Sequence, residues 1–132
     1  DRVKLKFSAE REWLGCPEEF PIETKTVENN FDHKKGSELS KKQKTICYEN
    51  FKEEIEIFWV LNRKKVKIKT DKIFKHLIIH VPKHAKYFCV EPVSHPTDGF
   101  NLAYKKIENV NCDVLMPNRK IKGLIKFEID NF

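Results

Sequence analysis

Apolar residues recur at every second position in several short runs. VKLKF (Val3 to Phe7), VKIK (Val66 to Lys69) and IKFEI (Ile125 to Ile129) each alternate apolar with polar side chains. Successive side chains of a strand point to opposite faces, so this period predicts strands with one buried and one wet face. EIEIFWVL (Glu54 to Leu61), HLIIHV (His76 to Val81) and KYFCVE (Lys86 to Glu91) are more continuously apolar and predict more deeply buried strands. Turns are marked by GCPEEFP near Gly15, KKGS near Gly36, LNRKK, VPKHA and PTDG. The chain has only four glycines, so Asn, Asp and Lys must fill several turn positions. For residues 38 to 44 a short helix is an alternative, because Ser37 precedes a run of helix formers. Strands spaced about 8–12 residues apart predict an all-β fold, an antiparallel sandwich or barrel.

Composition narrows this picture. A chain of 132 residues fits one domain or part of one. Charged residues make up 35% of it, and no apolar run approaches the roughly 20 residues that span a bilayer, so no membrane is expected as a partner. The opening DRVKLKFSAE lacks the apolar core of a secretory signal, and it does not start with Met, which fits a processed chain or a piece of a longer one. The net charge is +6, carried by 22 Lys against 4 Arg. Specific nucleic-acid readout leans on the planar fork of Arg, so no nucleic acid is expected either. Cysteines at 16, 47, 89 and 112 form no close pair and no zinc spacing. They read as free, buried thiols of a reducing cytoplasm, with no zinc site implied.

One segment differs from the rest. In an extended YFCVEP, Tyr87, Cys89 and Glu91 share one face, and Phe88 and Val90 the other. Pro92 has no N–H, so it ends ladder pairing or marks an edge. Glu91 then stands at the last paired position beside an aromatic ring and a thiol. That setting predicts a partly desolvated carboxylate, a better base near neutral pH. A strand-end glutamate facing water or a lysine is the equally simple alternative. His33, His76, His80 and His84 form no motif. His76 and His80 share one face of a strand and read as surface or core histidines.

FCVEPVSHPTDGFN resembles the signature of the aldose 1-epimerase (galactose mutarotase) family, in which Cys-(Val/Ile)-Glu-Pro precedes Ser/Thr-His-Pro. FPIETKTVENNFDHKKGSEL, VKIKTDKIFKHLIIHVPKHAKYFCVEP and VLMPNRKIKGLIKFEI are similar to flanking family segments, so that about Leu14 to Ile129 matches the C-terminal half. The resemblance implies a galactose mutarotase-like antiparallel β-sandwich, present here as its C-terminal half. It implies interconversion of the α and β anomers of a free aldose, with Glu91 as the general base and no cofactor or metal. It identifies no substrate-binding residue.

Three departures accompany it. The family's acid is a histidine in a His-Ser/Thr-Tyr-Phe-Asn-Leu motif that does not occur here, and His95 belongs to the glutamate signature. A sugar-holding aspartate before a Phe is replaced in TICYENF by Cys47 or Tyr48. Asn118 stands where the family turns on glycine. A non-catalytic carbohydrate-binding remnant of the same fold is therefore the alternative. All-β sandwiches commonly run to about 200–250 residues, and half of one exposes strand edges and apolar surface. An N-terminal half of the same protein, or a second copy, is expected to cover the exposed sheet.

Overall fold

The computed structural model describes residues 2–14, 23–26, 36–39, 44–84 and 86–132. Among them, ten strands and one short helix appear: β1 (Val3–Phe7), β2 (Arg11–Leu14), β3 (Glu23–Thr26), β4 (Ser37–Glu38), β5 (Lys44–Glu49), β6 (Glu54–Trp59), β7 (Lys64–Thr70), β8 (His76–Val81), β9 (Cys89–Val93), α1 (Gly99–Tyr104) and β10 (Ile125–Asn131). They form two five-stranded antiparallel sheets, in the orders β10-β7-β6-β1-β4 and β3-β2-β5-β8-β9. The architecture is the expected all-β sandwich. The alternative helix over residues 38 to 44 is overturned at its described positions, since Glu38 pairs with Lys4 and Lys44 opens β5. Local helix propensity is weak, and pairing to β1 and β8 outweighs it. The GCPEEFP turn, Cys16 and His33 lie outside the described residues.

The first sheet shows what the alternation does. Phe7, Ile55, Ile68 and Phe127 stand side by side on four adjacent strands, and Leu5, Ile57, Val66 and Ile129 form the next row. These rows face the second sheet, where Tyr48, Leu77 and Ile79 complete the core. Phe7 meets Tyr48 edge-on at 5.0 Å between ring centroids. Ile55 and Leu77 are fully buried, and each such side chain removed would cost about 2–5 kcal/mol.

The opposite face of the first sheet carries the charge. Lys6 meets Glu56 at 2.7 Å, Lys67 meets Glu54 at 3.3 Å and Lys69 meets Glu128 at 3.2 Å. The basic run beginning at Arg63 is thus a solvated strand face laced with carboxylates. Lys6, Lys65 and Lys67 together hold the Glu56 carboxyl below its ordinary value, the Lys6 hydrogen bond contributing most.

Turns follow the low glycine count. Asn50, Asp98, Asn109, Asn111 and Asn118 all adopt left-handed backbone, which Asn and Asp tolerate best after glycine. Asn118 (φ 64°) takes the glycine-like turn that the sequence comparison assigned to it. Among the described residues, no helix is long and apolar enough to cross a membrane.

Candidate functional site

The second sheet has an inner face toward the core and an outer face away from it. Phe88 and Val90 pack against the core, so Cys89 and Glu91 point outward, as period two requires. β9 lies at the sheet edge, the placement that Pro92 allows. Pro92 does not end the ladder, however. Pairing continues through Leu77 with Pro92 and His76 with Val93, so Glu91 stands in mid-strand rather than at the last paired position.

Register decides which groups meet on the outer face. Trp13, Cys47, Ile78 and Glu91 form one cross-strand row. Arg11, Glu49, His76 and Val93 form the row on one side of it. Thr45, His80 and Cys89 form the row on the other. Cys47, rather than Tyr48, therefore occupies the outward position of TICYENF, and Tyr48 belongs to the core.

The two ends of this face differ in cover. At one end, Leu102 of α1 and Val110 pack on Trp13 and Cys47. Gly99 permits this close approach, since a Cβ there would fall 2.7 Å from Cys112 Sγ and 2.8 Å from His95 Cδ2. Glu49 and His76 are fully buried beside that cluster. His76 Nδ1 donates to the Ser94 carbonyl at 3.3 Å, and its ring lies 6.4 Å from Trp13. Burial pushes His76 down to about 4, against the opposing pull of the Ser94 carbonyl. Burial also pushes the Glu49 carboxyl up, while Arg11, 3.9 Å away, draws it back. Among the described residues, Trp13 Nε1 and Glu49 Oε2 are buried without a hydrogen-bond partner.

At the other end Glu91 is exposed, and Cys89 and His80 are half-buried. Thr45 Oγ1 hydrogen-bonds His80 Nδ1. Modest burial, and then a hydrogen bond to the Glu91 carboxylate, push the Cys89 thiol up. The thiol neighbour expected of Glu91 is present. The desolvated setting is not, because Glu91 is exposed, although Ile78 opposite it packs against the Leu102 and Val110 cluster.

His95 takes no place beside Glu91. Its Nδ1 meets Ser94 Oγ at 2.9 Å, and it lines a separate cavity of about 180 Å³ with Phe100, Asn111 and Cys112. His84 lies in an exposed turn with left-handed backbone. No group of three or more metal-ligating side chains occurs among the described residues.

Sequence reasoning missed His76, His80, Glu49 and Thr45 as neighbours of the signature. The available signal was the VPKHA hairpin, since counting outward from its loop pairs His80 with Cys89 and Ile78 with Glu91.

No family model matches the chain, and no curated protein matches it significantly. Among solved structures, it superimposes with a TM-score of 0.80 on the crystal structure of a "Putative aldose 1-epimerase" from Escherichia coli K12. The chain has an aldose 1-epimerase-like fold. The match covers 98% of this chain but 46% of the neighbour, at 15% sequence identity. This epimerase-like sandwich thus spans about half the length of the structure it matches.

Proposed function

We propose that the chain is the C-terminal part of a larger mutarotase-like sandwich and that it interconverts the α and β anomers of a free hexose. The observation that carries this reading is Glu91. It is an exposed carboxylate inside a Cys-Val-Glu-Pro edge strand, on the outward face of an epimerase-like sheet. Glu91 takes the proton from the anomeric hydroxyl. The O–H electron pair forms the carbonyl at C1, the C1–O5 bond breaks, and an acid protonates O5. Reclosure on the other carbonyl face gives the second anomer. A positioned base contributes about 10²–10⁴ in rate.

The second reading, a carbohydrate-binding remnant without turnover, is favoured by Cys47. That position is a fully buried thiol under α1, where the resembling family holds sugar hydroxyls with a carboxylate. Glu49 supplies a carboxylate on the same face, but it is equally closed off.

A missing half of the sandwich fits the apolar rows of the first sheet. Burial is nearly complete at Phe7 and Ile55, yet Phe127 is 62% and Ile129 76% exposed at the β10 edge of the same rows. A second β-rich half covers them, supplied by the rest of a longer protein or by another copy. Sedimentation of the chain alone separates a dimer from a monomer awaiting its other half.

Polarimetry tests the function. Fresh α-glucose or α-galactose should relax faster with the chain than in buffer, and Glu91→Gln should lose about 10²–10⁴ of that acceleration. Saturable sugar binding with no acceleration would leave the remnant reading in its place.

A further inference from the structure

The outer face of the second sheet offers an acid that the signature does not name. Glu91 stands opposite Ile78, and His80 stands opposite Cys89. Glu91 and His80 are therefore diagonal neighbours on one face, about 7–8 Å apart at the backbone, a span that long side chains close. Cys89 lies on the same face, two residues from Glu91 along β9 and opposite His80. His80 is half-buried on the open side of the face. Its Nδ1 is held by Thr45 Oγ1 on the next strand.

We propose that His80 is the general acid partner of Glu91, with Thr45 as its positioning residue. This rests on the mutarotase reading above and supplies the step that reading leaves without a residue. The protonated ring donates through Nδ1–H to Thr45 and presents Nε2–H to the sugar ring oxygen. As Glu91 takes the anomeric proton, the C1–O5 electron pair passes to O5, which receives the Nε2 proton. The ring is left neutral, with Nδ1–H still on Thr45 and an Nε2 lone pair. Reclosure returns both protons, so no oxidant or co-reactant is consumed. His76 cannot take this role, because it is fully buried with its Nδ1 committed to Ser94.

The test uses the chain itself in polarimetric mutarotation across pH. With Glu91 as base and His80 as acid, the wild-type rate is bell-shaped in pH. His80→Ala should lose about 10²–10⁴ of the rate, lose the descending alkaline limb, and recover part of the rate with added imidazole. Thr45→Val should lower kcat while leaving KM unchanged, and it guards against a folding defect at position 80. A wild-type chain that accelerates with His80→Ala retaining the full rate and both limbs would overturn the acid alone. A loss in His80→Ala that imidazole does not rescue, with Thr45→Val at full kcat, would overturn it too. No acceleration by the wild-type chain would overturn the mutarotase reading and the acid together.

Discussion

The two ends of one sheet face make opposite uses of the same residue types. At the roofed end, Glu49 and His76 sit opposite each other across β5 and β8 and are fully buried. At the open end, Glu91 and His80 sit diagonally across β8 and β9, within reach of water. The strands, the pairing and the outward direction are shared. Only the cover differs, with Leu102 and Val110 over one end. Burial disfavours the charged form of any group. The roofed pair is therefore pushed toward neutrality on both sides, the carboxyl up and the imidazole down. A carboxylate and a histidine become a buried pair driven toward neutrality under a roof and a candidate acid–base pair without one.

Removing the roof is the strongest way to break this contrast. Leu102 is 1% exposed, so Leu102→Ala should cost about 2–5 kcal/mol in denaturant unfolding. In the same variant the His76 titration, followed by NMR, should move back toward its ordinary value as water enters. A cost below about 1 kcal/mol would mean that α1 is not a packed cover.

The pH dependence of stability comes next. His76 is held near 4 in the fold against an ordinary 6.5, so the unfolded chain takes up its proton first as pH falls. Stability from this group is complete above 6.5 and is lost as pH drops toward 4, by at most about 3 kcal/mol. Glu49 acts in the opposite sense, because its raised value favours the folded state as pH falls. The two partly cancel, and Lys75 and His95 add to the low value of His76. Unfolding at several pH values should show a steeper acid loss in Glu49→Gln than in wild type, and a shallower one in His76→Gln.

A smaller effect separates the carboxylates directly. At neutral pH and above, Glu49→Gln should raise the melting temperature, because it removes a buried carboxylate that the fold prefers neutral. The gain should vanish below pH 4.5, where Glu49 is protonated in both states. Thermal melts at pH 8 and pH 4 check this, and a loss at pH 8 would mean that Arg11 stabilises the charged form more than burial opposes it.

The smallest effect belongs to the open end. Glu91 is exposed, so Glu91→Gln should change unfolding free energy by no more than about 0.5 kcal/mol. A residue neutral for stability and decisive for rate would mark that end as the functional one.

Much of the framework was legible from alternation alone. VKLKF and HLIIHV are β1 and β8 to the residue, and VKIK and IKFEI lie inside β7 and β10. The alternation did not reveal β2, β3, β4, β5 or α1, and it misplaced the bounds of β9. β5 reads KTICYE, and burial on both faces removes the alternation that would have revealed it. β9 runs to Val93, past the proline, because of the two readings of Pro92 the edge one holds and an edge strand tolerates the missing donor. PTDG read as a turn, and the short α1 that follows Asp98 owes its place to Leu102 packing on Trp13 and Cys47. For the site, Glu91 was legible through its signature, whereas Glu49, His76 and His80 were not, since their neighbours lie on other strands.

The local chain order by itself determined many of the strands, the face that Cys89 and Glu91 share and the two placements open to Pro92. Those follow from period two and from a missing N–H, both properties of adjacent residues. The tertiary structure decided which of two outward carboxylates is sealed and which of two histidines is sealed with it. Cover and register depend on segments far apart in sequence, and desolvation is set by what those segments place overhead.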